Sequence, residues 1–307
     1  MTGRFCRLGL LRGALAALLV VGSITRPAAA HNESAAAEDT ATDTSGVPEV
    51  TIEGQGHKIR AFVANMTHQL GAAQDDPLQL WRQPICFIVA GLPQAHAEFV
   101  LNRLSHAAEA AGAPLAAKND CRPNFYVVAT AHPVELLHAW QRKDSTIYSS
   151  YEGPTLVRAF VDTPRAVRVW YNTYLTDPQS SGGDHSHEIQ RGLKRVHSEA
   201  SAIKYNAVRD FDSVLVVVDL NRIEGLEWSQ VADYIAVAGL TRVNPNADFR
   251  ATDTILRLFT DDGTVAPKGI TEWDSAFLRA LYHTHQDVRG QRGSITGYMM
   301  SDIAPTR

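Results

Sequence analysis

Leu226-Glu-Trp-Ser-Gln-Val-Ala-Asp-Tyr-Ile-Ala-Val-Ala-Gly-Leu240 is the stretch on which the reading of this chain turns. Leu226, Val231, Tyr234, Ile235 and Ala238 recur at helical spacing and make one apolar stripe. Ala232, Ala236 and Ala238 keep the helix slim, and Gly239 is a natural stop. Just upstream, Val214-Leu-Val-Val-Val218 is a continuous apolar run, which reads as a strand buried on both faces. Downstream, Thr271-Glu-Trp-Asp274 opens a second helix. Thr271 is its N-cap, Asp274 stands at the capping-box position, and Trp273, Ala276, Phe277, Ala280 and Leu281 form its apolar face.

Working back from this centre, Ile85 to Val89 reads as a strand, Gln94 to Ala111 as a helix closed by Gly112, and Phe125 to Ala129 as the next strand. Together they predict a β-α-β unit. Pro133 opens a helix carrying Val134, Leu137 and Trp140. Val167 to Tyr171 alternates and then turns aromatic, as an edge or half-exposed strand does. Ile59, Phe62, Val63, Met66 and Leu70 mark an amphipathic helix, and Val50-Thr-Ile52 a short extended piece. The expected class is α/β or α+β: one domain with a four- or five-stranded mixed sheet and packed helices.

The C-terminal half carries a resemblance. A helix ending Gly239-Leu240, a Thr254-Ile-Leu-Arg-Leu-Phe259 run, Ile270-Thr-Glu-Trp-Asp274 and Leu278-Arg-Ala-Leu-Tyr282 follow one another. This order resembles a family of uncharacterised proteobacterial secreted proteins and lipoproteins. More remotely it is similar to matrixin-type metallopeptidases, which implies a zincin-like scaffold. Zincins need His-Glu-x-x-His, because two imidazoles at i and i+4 share one helix face and the Glu activates water. Aligned on Gly239-Leu240, those positions hold Ala232, Asp233 and Ala236. Alanine cannot ligate zinc, so the resemblance implies the scaffold without the reaction.

Residues 1–30 read as a secretory signal. Arg4, Arg7 and Arg12 are its positive region, Ala14 to Val21 its apolar core, and Ala28-Ala-Ala30 its small-residue site. Cleavage is expected between Ala30 and His31. The apolar core is shorter than the ~20 residues that a membrane anchor needs. His31 to Val47 lacks periodicity and reads as a disordered linker, so the divisions are 1–30, 31–48 and a globular 49–307. The chain has 29 Lys and Arg against 33 Asp and Glu; losing the four arginines of the signal leaves 25 against 33, a net charge of −8. Nucleic acid and anionic membranes are poor partners for such a surface. The expected location is periplasmic or secreted, with no stable membrane span after cleavage.

The candidates for chemistry are few. Cys86 and Cys121 would survive cleavage; an oxidising compartment makes them a structural disulfide in preference to a nucleophile or metal pair. His185 and His187, and His283 and His285, are His-x-His pairs that could chelate a borderline metal, each lacking a third ligand in sequence. Asp219, Glu224, Asp253 and Asp274 could pair for acid-base work, although such residues more often cap helices or face water. Trp170, Tyr171 and Tyr174 could form an aromatic binding face or a buried sheet face. Gln179 to Asp184 is a surface loop and Asp261-Asp-Gly263 a turn. The nucleophile elbow, phosphate loop and dinucleotide fingerprint are missing, and no cofactor is expected. Two functions stand. One is a non-enzymatic envelope protein that holds a protein or cell-wall ligand in a groove floored by Ala232 and Ala236. The other is a divergent hydrolase using metal or paired carboxylates.

Overall fold

Val214 to Val218 occupy the middle of the sheet, and all five are buried, so the run has no solvent face. The computed structural model describes residues 49–67, 78–117, 121–144, 147–148, 153–176 and 208–303, except positions 245, 251, 261, 262, 264 and 285–289. The leader with Ala30 and His31, the linker, Leu70 and the Gln179–Asp184 loop lie outside the described residues. The described residues fall within one unit, Val47–Arg307.

Among the described residues, four strands stand in the spatial order β1-β2-β4-β3. They are β1 (Phe87–Ala90), β2 (Phe125–Thr130), β3 (Val167–Thr176) and β4 (Val208–Asp219). β1 pairs parallel with β2 from Phe87↔Phe125, and β2 parallel with β4 from Phe125↔Val214. β3 runs antiparallel to β4 from Val167↔Val218, with an irregularity between Asn172 and Thr173. The class is α/β with a mixed sheet. The helices are α1 (Glu49–Thr67), α2 (Gln94–Ala111), α3 (Pro133–Lys143), α4 (Gly153–Asp162), α5 (Trp228–Leu240), α6 (Glu272–His283) and α7 (Gln291–Ile303); a 3-10 helix spans Ile255–Phe259.

Strand periodicity divides the core into two layers. Val214, Val216 and Val218 join Phe125, Val127 and residues of α1, α2, α5, α6 and α7 in the main cluster. Leu215 and Val217 turn to the opposite face, where Leu137 of α3 and Phe160 and Val161 of α4 cover them. Val50 to Ile52 belongs to the first turns of α1 and is not extended. The weak helix preference of its β-branched residues is overridden by continuation of the helix that buries Ile59, Phe62, Val63 and Met66.

Gly239 has a different job from the one its sequence position suggests. α5 continues through Leu240 and ends at an extended Thr241. A Cβ at Gly239 would fall within the ring of Phe125, so glycine here lets the helix lie against β2. The unused carbonyls at this helix end are met by aromatic donors. Tyr171 Oη donates to Ala238 O at 2.6 Å, Trp81 Nε1 to Gly239 O at 2.9 Å, and Tyr282 Oη to Leu240 O at 2.7 Å. By contrast, Gly112 closes α2 in the left-handed conformation with φ 79°, as its position predicts.

Candidate functional site

The face of α5 that carries Ala232 and Ala236 is closed. Ala232 and Ala236 are 0% and 1% exposed within the main core, so they floor no groove. Asp233 is also buried, and its carboxylate is engaged by donors. Arg103 Nε donates to Oδ1 at 2.7 Å, Arg103 Nη2 to Oδ2 at 2.5 Å, and Ile270 N to Oδ2 at 2.9 Å. Gly269 permits this approach, since a Cβ there would stand 2.6 Å from Asp233 Oδ2. A cation at this carboxylate would have to displace a bidentate guanidinium.

Asp274 is a structural acid. With Thr271 it makes the capping box of α6, and it also accepts from Thr254 Oγ1 at 2.5 Å and Ile255 N at 2.8 Å, tying α6 to the 3-10 helix. Asp219 accepts from Asn221 N at 3.1 Å and pairs with Arg222 at 3.4 Å. Glu224 and Asp253 are exposed. These four acids are not brought together as a group. Among the described residues, no three His, Cys, Asp or Glu side chains converge as metal ligands. His283 Nδ1 lies 2.8 Å from Arg279 O, and its ring covers Gly112. His185, His187 and His285 lie outside the described residues.

Cys86 and Cys121 form a disulfide with a Cα separation of 5.4 Å, which replaces the nucleophile or metal-pair alternative. Asn124 braces it: Cys86 N donates to Asn124 Oδ1 at 2.8 Å, and Asn124 Nδ2 to Pro84 O at 3.0 Å.

The chemistry that sequence reasoning overlooked lies at the β3 edge of the sheet. A cleft of about 130 Å³ runs beside β3, walled by Leu156, Ala159 and Phe160 of α4 and by Tyr234 and Ala238 of α5, with the segment 242–244. Residues 167 to 171 line it consecutively. Side chains of successive strand residues point to opposite faces, so the cleft wraps the outer edge of the strand. Trp170 belongs to the α3 and α4 layer and Tyr171 to the main core. The aromatic residues thus serve as buried sheet residues whose rims also border the cleft.

Among the described residues, three arginines line the cleft, Arg165, Arg168 and Arg242, and no acid does. Arg165 donates to Asn246 Oδ1 at 3.4 Å. Arg242 donates to Gln79 Oε1 at 3.1 Å and stands 5.9 Å from the centre of the Tyr171 ring. Arg168 is only 2% exposed. Its Nη1 donates to Arg165 O at 3.1 Å, while its Nε has no hydrogen-bond partner among the described residues. Burial lowers the Arg168 pKa; Asp219 opposes that shift, and Arg222 and Arg165 add to it. A buried guanidinium edge without an acceptor costs free energy that a bound anion recovers. The signal in sequence was Arg168, a charge in the run Val167 to Tyr171, which is otherwise Val, Trp and Tyr.

Among the described residues no helix is long and apolar enough to cross a membrane. No family model, no curated protein and no solved structure matches the chain.

Proposed function

We propose that this is an exported, non-enzymatic binding protein that captures an anionic group in the cleft beside β3. The observation that carries the reading is the buried Arg168, whose Nε has no hydrogen-bond partner among the described residues, in a wall whose described residues include three arginines and no acid. The volume narrows the ligand. Whole small-molecule or cofactor sites measure roughly 300–1,000 Å³, whereas about 130 Å³ takes a carboxylate, a phosphate or one side chain. The reading keeps α5, the 3-10 helix and α6 as a scaffold like that of the matrixin-type peptidases, put to a binding use. The Cys86–Cys121 disulfide is compatible with an exported protein, and the leader-like first 30 residues make the periplasm or beyond the proposed destination.

The test is a titration with N-acetyl-aspartate, followed through the Nε–H signals of the arginine side chains. A saturable shift of the Arg168 signal, abolished in Arg168→Gln of unchanged thermal stability, is the expected result. An Arg168 signal indifferent to the ligand overturns the site. Chelator-sensitive cleavage of peptides by the purified protein overturns the non-enzymatic reading.

A further inference from the structure

One charged edge in the cleft stands among apolar walls. β3 runs without irregularity as far as Asn172, so Arg168 points to the same side of the sheet as Trp170. That side is the layer covered by α3 and α4, where the rings of Phe160 and Trp170 stand 5.3 Å apart. Leu156 and Ala159 of α4 continue this wall, and Ala159 is exposed, so the cleft opens past α4.

Neighbouring donors are already engaged. Trp170 Nε1 donates to Asn172 Oδ1 at 2.9 Å, and Tyr171 Oη to Ala238 O at 2.6 Å. Arg165 and Arg242 have partners of their own in Asn246 and Gln79. The Asp219 carboxylate is held by Asn221 N and Arg222. Among the described residues, Arg168 Nε is the donor of this wall that lacks an acceptor, and hydrocarbon surrounds it.

Resting on the anion reading above, we infer that the ligand is a small monocarboxylate with a compact apolar body, of the class of branched short-chain acids. Its carboxylate accepts from Arg168 Nε, and its hydrocarbon lies against Leu156, Phe160 and Trp170. Phosphate presents more charge and more oxygens than this wall has donors to answer, and oxygens buried without donors are costly. A dicarboxylate has the same fault at its second charge. A cleft of about 130 Å³ holds a body of side-chain size and no larger.

The probes are isovalerate, acetate, inorganic phosphate and the neutral amide isovaleramide. Each is titrated into the full chain at pH 7 and constant ionic strength and followed through the arginine Nε–H signals. Isovalerate and acetate carry the same charge and differ only in hydrocarbon. The expected result is a saturable Arg168 shift with isovalerate, at an affinity about tenfold or more above that of acetate, since each buried methylene is worth about fourfold. Phosphate and isovaleramide should each bind about tenfold or more weaker than isovalerate. Leu156 is half-buried, and Leu156→Gln of unchanged thermal stability should bring isovalerate down toward acetate while leaving acetate unaltered. If isovalerate and acetate bind alike while N-acetyl-aspartate still shifts the Arg168 signal, the apolar body is overturned and the anion site stands. Phosphate binding more tightly than isovalerate has the same meaning. If isovaleramide equals isovalerate, charge plays no part, and the anion reading falls together with the inference. If no acid moves the Arg168 signal, N-acetyl-aspartate included, both fall as well.

Discussion

Arg103 of α2 grips Asp233 of α5 through two parallel hydrogen bonds, so two helices of the main layer are joined by a bidentate ion pair whose acid is almost wholly buried. Arg103 itself remains about a third exposed, at 37% of its side chain. Removing the cation leaves Asp233 with Ile270 N as its remaining donor. Arg103→Ala is expected to destabilise the fold by roughly 2–3 kcal/mol, below the range for fully buried pairs because water reaches the guanidinium. Urea unfolding midpoints at unchanged m-value measure it, and a shift under about 0.5 kcal/mol would contradict the role assigned to the pair.

Gly239 and Phe125 set how closely α5 lies to the sheet. Gly239→Ala is expected to cost roughly 1–3 kcal/mol through overpacking. Phe125→Leu in the same chain should recover part of that cost, which a double-mutant cycle reads as a favourable coupling. Simple additivity of the two changes would show that the ring is not the obstacle.

The parts that were legible in the sequence share a physical cause. Val214 to Val218 has no polar face, α2 has Gly112 in place, and Thr271 with Asp274 spells a capping box, so each is decided by neighbours in sequence. α4 and α7 were not read at all. α7 carries Gly293 and Gly297 and buries only Gln291, Ile295 and Met299, which leaves a weak stripe. The cleft was illegible for another reason. Arg165, Arg168 and Arg242 meet only because β3 folds back beside β4 and α5 ends against it, a relationship that no local spacing encodes. Ala232 and Ala236 carried two readings, small residues that keep the helix slim and the floor of a groove; in the fold both are buried in the main core, as the first has it.

The aromatic donors at the end of α5 give a pH signature. Burial pushes the phenols of Tyr171 and Tyr282 well above the usual tyrosine range, and that of Tyr148 up to about 12. A raised folded-state pKa means that the folded state holds the proton more tightly than the unfolded chain does. This stability is complete below the unfolded value and is lost as pH rises through the folded one. Spectrophotometric titration should show Tyr171 and Tyr282 ionising only together with loss of near-ultraviolet dichroism. Tyr171→Phe should cost about 1–2 kcal/mol, since Ala238 O loses its side-chain donor.

Asp274 behaves in the same sense. Burial is the largest influence on it and pushes its carboxyl above the ordinary aspartate range, against the donors from Thr254, Ile255 and Thr271. Its contribution is therefore greatest in acid and declines as pH rises through the folded-state value. The stability advantage of the wild type over Asp274→Asn should shrink from acid toward neutral pH in parallel urea titrations. An advantage that grows with pH would mean that the hydrogen bonds outweigh burial.

Reduction of the Cys86–Cys121 bridge, 35 residues apart in sequence, should lower stability by roughly 3–4 kcal/mol on loop-entropy grounds. Unfolding with and without reductant measures the difference, and coincident curves would show that the bridge does not constrain the unfolded chain.

That same bridge makes β1 and α2 part of a covalent ring, closed at the point where Cys86 O accepts from Phe125 N. A protease that cuts any peptide bond between the two cysteines opens the ring without dividing the molecule. The product is a two-chain protein that migrates as one piece until its thiols are freed. Arg103, on α2, stays attached to the chain that carries Asp233, so the main helical layer keeps its members after a cut that would shed them from an unbridged chain.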